Sequence, residues 1–179
     1  MRRLIKKKIN KIGILGGTFD PPHIGHLHIS KTALKKLKLD KLVWVITKQN
    51  PLKKKPDLNT KLRIRLSKNI IKGEKKIIIQ YLDAKIKSKN TFDLLSYIKK
   101  RNKEKKLFFI MGSDNLIKFH KWKNWRKIPQ LAKLVVFARQ NYSRRAFNSI
   151  AAKKLSKNHW LYINSKKVNI SSSLIKKFW

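Results

Sequence analysis

The sequence predicts an α/β fold of three layers, with a central parallel sheet and helices on both faces. Three observations carry this. Apolar runs at 12–15, 42–46, 107–111 and 134–138 are short and mostly unbroken by polar residues, as in strands buried on both faces. Segments with helical spacing of 10 to 15 residues separate the earlier runs. Two of the runs, 12–15 and 107–111, end directly in glycine, so each delivers a tight turn to the same edge of a parallel sheet. In such Rossmann-like sheets ligands sit at the carboxyl ends of the strands, where the strand order reverses.

In chain order, residues 12–15 form a strand feeding Gly16-Gly17. From Ile24, the apolar positions Leu27, Leu34 and Leu37 predict a helix to about residue 37, with lysines on its other face. Residues 42–46 (LVWVI) are the second strand, and 47–57 (TKQNPLKKKPD) a polar loop with two prolines. Leu58, Leu62, Leu66 and Ile70 step by four through a second helix that stops near Gly73. Residues 76–81 are a third strand. Asn90 stands where it would cap a helix with Asp93 in its first turn and Leu95 and Ile98 on its apolar side. Strands at 107–111, 134–138 and 160–163 follow, and 171–173 precede a last short helical piece. There is no internal repeat and no dividing linker, so residues 1–179 are expected to form a single domain with a basic tail at 1–10.

The chain carries 47 Lys and Arg against 8 Asp and Glu, a formal charge of +39. That invites a nucleic-acid reading, but the lysines are spread over nearly every segment instead of forming a patch. No specific nucleic-acid partner is expected; the field would favour polyphosphate substrates by steering. No apolar run approaches 18 residues, so no membrane partner is expected. The N-terminus lacks the long apolar stretch of a signal peptide. The absence of cysteine rules out thiolate metal sites and disulfides and fits a cytoplasmic location.

The chemistry concentrates in residues 16–26, GGTFDPPHIGH. Gly16 and Gly17 let backbone approach a ligand, the prolines stiffen the turn, and the helix that follows offers unpaired N–H groups to an anion. His23 and His26 lie three apart at the helix start, so both face one side of its first turn. Together these parts make a phosphate cradle.

This loop resembles the signature of the nucleotidyltransferase superfamily, whose H-x-G-H core is matched by His23-Ile24-Gly25-His26. Further motifs are most similar to the bacterial nicotinate-nucleotide adenylyltransferases, over about residues 11–176. The stretch 49–53 (QNPLK) resembles a substrate-side loop ending in Lys53, and 90–93 (NTFD) lies where that family has Tyr-Thr-x-Asp. Gly112-Ser113-Asp114, followed by Trp122 and Trp125, resembles its G-x-D and tryptophan pattern. Residues 170–176 (ISSSLIK) resemble I-S-S-T-x-I-R, with Ser173 for Thr and Lys176 for Arg; the second change replaces a bidentate fork with a point charge.

The resemblance implies adenylyl transfer from ATP to nicotinate mononucleotide, by direct attack without a covalent intermediate. It implies ATP binding by Gly16, Gly17, Thr18, Phe19, His23, His26, Gly112, Asp114, Ser172, Ser173 and Lys176, with His23, His26 and Lys176 catalytic. Lys53, Thr91, Trp122 and Arg139 are implied for the mononucleotide. Magnesium is expected to arrive on the ATP phosphates, and no protein-held metal is expected. His28, His120 and His159 match no motif. The opening loop does not choose among acceptors, so nicotinamide mononucleotide and phosphopantetheine stay open as alternatives. A basic nucleic-acid-binding protein is the alternative from another class, and oligomeric state is left open.

Overall fold

The computed structural model describes residues 10–52, 54–164 and 172–178. The basic tail expected at 1–10 therefore lies, apart from Asn10, outside the described residues, and so does Lys53. In chain order the elements are β1 (Lys11–Gly17), α1 (Ile24–Lys36), β2 (Lys41–Ile46), α2 (Thr60–Ile70), β3 (Ile77–Gln80), α3 (Asp83–Ile86), α4 (Thr91–Arg101) and β4 (Lys106–Gly112). Then come α5 (Ser113–Lys118), α6 (Ile128–Leu131), β5 (Lys133–Phe137), α7 (Ser143–Phe147), α8 (Ile150–Lys154), β6 (Trp160–Ile163) and α9 (Ser172–Ile175).

The six strands form one sheet in the order β3-β2-β1-β4-β5-β6, with every neighbouring pair parallel. β1 sits in the middle, with Ile14 opposite Val43 on one side and Phe109 on the other. The strand order reverses between β1 and β4, so the turns after these two strands diverge and leave a cleft at their carboxyl ends.

Side chains leave the sheet alternately to two cores. Ile12, Ile14, Val43, Val45, Phe109, Met111, Leu134 and Val136 face a layer built by α4 through α8. Leu15, Leu42, Trp44, Ile46, Ile110, Val135 and Phe137 face the layer of α1 and α2. These are the three expected layers.

Two expectations are adjusted. Helix α2 begins at Thr60, capped by the Asn59 side chain accepting from Leu62 N–H at 2.9 Å. Its buried face is centred on Arg63 and Ser67, with the leucines flanking it. Asn90 occupies the N-cap position of α4, but its side chain does not cap. Its amide and its backbone N–H both point to Ser88 Oγ, whose hydroxyl in turn donates to Asp93 at 2.6 Å. Helices α3 and α5 through α8 are too short to leave a periodic signal in the sequence.

One buried polar link joins α1 to the sheet. The indole N–H of Trp44 donates to Ser30 Oγ at 2.8 Å, and that hydroxyl donates to the His26 carbonyl at 2.7 Å. Both residues are fully buried. Ser30→Ala should therefore strand a buried indole N–H and destabilise the fold by about 1–3 kcal/mol, read as a lower urea midpoint.

Candidate active site

The turn after β1 is held in an unusual shape. Phe19 has φ of 51°, a left-handed conformation that is strained for a bulky residue. Packing offsets the strain: its ring stacks on Trp44 at 4.9 Å and lies 4.7 Å from the His26 ring. Phe19 is 2% exposed, so this predicted ATP residue supports the loop from beneath, and only its backbone is left for a ligand. The Asp20–Pro21 peptide is cis. Asp20 is buried and accepts the N–H groups of Asp57 and Leu58 at 3.0 and 2.9 Å.

His23 is the N-cap of α1 and His26 stands three residues on, their rings 3.9 Å apart. The His23 backbone N–H donates to His26 Nδ1 at 3.2 Å. That bond keeps Nδ1 unprotonated and places the neutral ring's proton on Nε2. His23 is buried, and neither ring nitrogen has a hydrogen-bond partner. Burial, with the Arg139 charge nearby, pushes its pKa down to about 4. His23 is thus a neutral imidazole at pH 7, able to offer one N–H to an anion.

A second group forms beyond β4. Arg139 Nη1 donates to Asp114 Oδ2 at 2.9 Å, while Asp114 Oδ1 is buried with no partner. Ser113 Oγ accepts the Arg139 backbone N–H at 3.0 Å. A Cβ on Gly112 would lie 2.4 Å from Asp114 Oδ1 and 3.2 Å from Arg139 Cδ, so any side chain there would have to displace the Asp114–Arg139 pair. Arg139, expected on the mononucleotide side, is grouped here with Asp114 and near His23.

Beside the β1 turn opens a pocket whose lining includes Gly16, Gly17 and Thr18 together with Thr91 and Trp122, while His23, His26, Asp114 and Arg139 stand outside that lining. Phe109 and Met111 of β4, Gln49 to Leu52, Asp83, Lys89 and Lys121 also border it. Trp122 is held edge-on to Phe109 at 6.1 Å and tilted on Phe119 at 5.1 Å. Trp125 is not among the lining residues; it packs on Phe119 at 6.2 Å, with the Arg126 guanidinium 4.6 Å from its ring centre.

The described part of the C-terminal motif, residues 172–176, docks on the same turn, and residues 170 and 171 lie outside the described residues. Ser172 Oγ donates to the Pro21 carbonyl at 2.8 Å, and Ser173 is exposed. Lys176 is paired with Asp20 and, at 2.6 Å, with Asp57. The two carboxylates raise its pKa against the opposing effect of burial. The cation implied for the triphosphate is thus engaged by acids at the edge of the loop.

Two residues of the site escaped the sequence reading. Asp83 accepts the Lys48 N–H at 2.6 Å and borders the pocket, and burial raises its pKa. Arg63, 1% exposed, contacts the turns after both β1 and β2. It lies in line with Thr60, Ser67 and Ile70 on the helix face turned inward, a face that the leucine spacing does not mark. Among the described residues no three His, Cys, Asp or Glu side chains gather at metal-binding range, and no helix is long and apolar enough to cross a membrane.

The buried His23 predicts a pH dependence. The unfolded imidazole titrates near its ordinary 6.5 and the folded one near 4, so the unfolded chain binds more protons between these values. The stability associated with a neutral His23 is complete above about pH 6.5 and falls as pH drops towards 4. Denaturation midpoints of His23→Gln should lose that part of the acid limb, and the ring's proton resonance should titrate near pH 4.

Comparison with known proteins agrees with this geometry. The family model for cytidylyltransferase-like proteins matches residues 14–178. A relative from Pelagibacter ubique, named a probable nicotinate-nucleotide adenylyltransferase, is 47% identical over 97% of this chain and 96% of its own. One of the same name from Ruegeria is 34% identical over 93% of this chain and 96% of its own. A solved structure of the Plasmodium falciparum nicotinic acid mononucleotide adenylyltransferase, complexed with NaAD, superposes with a TM-score of 0.78. It is 23% identical and covers 94% of this chain and 83% of its own, so it speaks for the fold. The loop, the pocket beside it and these relatives together make the chain a member of the cytidylyltransferase-like family, in its nicotinate-nucleotide adenylyltransferase branch.

Proposed function

We propose that this chain transfers the adenylyl group of ATP to nicotinate mononucleotide, giving deamido-NAD and pyrophosphate. The observation that carries the proposal is one juxtaposition. Gly16, Gly17 and Thr18 border the pocket that Thr91 and Trp122 also line, so the loop assigned to ATP adjoins the residues assigned to the mononucleotide. The names of the relatives support the choice of reaction and acceptor.

The acceptor phosphate is already ionised at pH 7 and attacks the α-phosphorus directly. No general base and no covalent enzyme intermediate are needed, and catalysis rests on positioning and charge stabilisation. The neutral His23 and the Nε2 proton of His26 serve as donors toward the triphosphate. The backbone at Gly16–Thr18 and the N-terminus of α1 complete the cradle. The partnerless oxygen of Asp114 accepts a hydroxyl of the nucleoside, with Arg139 holding the carboxylate in place. Thr91 and the Trp122 face take the pyridinium ring, by the electrostatics of a cation over an indole. Magnesium enters as part of the nucleotide substrate and offsets charge on its phosphates. Lys176 and Ser172 close the edge of the loop, Lys53 is assigned to the acceptor side from the motif alone, and a cytoplasmic location accords with the supply of ATP.

Pyrophosphate release should be fastest with nicotinate mononucleotide when it is compared with nicotinamide mononucleotide and phosphopantetheine. A clear preference for phosphopantetheine would refute the acceptor assignment. His26→Ala should lower kcat by roughly 10²–10³, the scale for losing one preorganised donor, with the circular dichroism of the fold unchanged. Trp122→Ala should raise KM for the mononucleotide well above any change for ATP, and equal effects on both would remove the stacking role.

A further inference from the structure

Arg63 is a buried cation with an uncommon set of partners. It is 1% exposed, and among the described residues none of its hydrogen bonds goes to a carboxylate. Nε donates to the Leu58 carbonyl at 3.0 Å. Nη1 donates to the carbonyls of Thr18 and, at 2.7 Å, Thr47. Nη2 donates to the Lys48 carbonyl at 3.2 Å and to Thr60 Oγ1 at 2.9 Å. All five N–H donors of the guanidinium fork are used.

The partners belong to three separate segments. Thr18 is in the phosphate loop after β1. Thr47 and Lys48 begin the loop after β2, which continues into the pocket-lining residues Gln49 to Leu52. Leu58 and Thr60 lead into α2. Asp20 and Asp83 are the acids nearest in effect, and their charges favour the guanidinium against its burial. Each is also tied to one of the same segments, Asp20 through the Asp57 and Leu58 N–H groups and Asp83 through the Lys48 N–H. A carbonyl that accepts from a buried fork is fixed in direction, and with it the peptide that precedes the next side chain.

We propose that Arg63 is a positioning residue for the reaction: through the carbonyls of Thr18, Thr47 and Lys48 it locks the ATP loop and the acceptor loop in one mutual geometry. The kinetic part of this inference rests on the adenylyl-transfer reading above. Lysine keeps the charge but has three donors in place of five and no planar fork, so Arg63→Lys separates geometry from charge.

Arg63→Lys should lower kcat/KM for both substrates by roughly 10²-fold, the scale of a small misplacement of reacting groups. Hydrogen exchange on the ligand-free protein should quicken at residues 18–20 and 47–52, while β4 and β5 keep their protection. Thr60→Val removes one acceptor and leaves the fork in place. It should quicken the same amides to a smaller degree, which keeps the test open if the lysine variant does not fold. Parental kcat and KM in Arg63→Lys would overturn the proposal. So would exchange that rises uniformly through the sheet, with activity following only the folded fraction, or an unchanged local exchange in Thr60→Val. If the parent chain releases no pyrophosphate with any acceptor, the activity reading falls, and the exchange pattern still decides whether Arg63 locks the two loops.

Discussion

Everything functional in this molecule hangs from the parallel pairing of β1 with both β2 and β4. Because the three strands run the same way, their carboxyl ends lie side by side, with Gly17 opposite Ile46 and Leu15 opposite Ile110. The turns that follow must then leave the sheet at one edge. Those of β1 and β4 part there because their connections go to opposite sides of the sheet order. The cleft is a consequence of topology before any side chain is chosen.

Charge is distributed by the opposite logic. Among 47 cations the chain has only Asp20, Asp40, Asp57, Glu74, Asp83, Asp93, Glu104 and Asp114 as acids. Most of them organise backbone or loops. Asp40 accepts the N–H groups of Asn10 and Lys11 at the start of β1. Asp20 and Asp57 receive Lys176, Asp93 receives Lys123 at 3.2 Å, and Asp114 receives Arg139. Pairing with exposed lysines such as Lys123 adds little stability; the buried contacts of Asp20 and the partly buried Asp114 shape the site.

The fold was largely legible because buried parallel strands and the helices α1, α2 and α4 write strong periodic or continuous patterns. The Gly16–His26 loop was legible because glycine, proline and histidine each have a distinct backbone or chemical meaning there. Arg63 was not, since a charged residue on a helix is normally a solvated one, and only the observed carbonyls explain its burial. Phe19 was implied as an ATP contact by resemblance, whereas ring packing turns its side chain towards Trp44 and His26. Asn90 illustrates a smaller limit: a cap residue in the right place can still lose its acceptor role to a neighbouring hydroxyl.

The set of partners chosen by Arg63 bears on how such a site can change over time. Four of its five bonds go to main-chain carbonyls, which every amino acid supplies. The fork therefore holds the two loops without reading their side chains. Substitutions at 18, 47 and 48 leave the anchoring atoms in place, and the adjoining pocket residues are free to be exchanged one at a time. A scaffold anchored through backbone in this way separates the inheritance of loop shape from the selection of the acceptor.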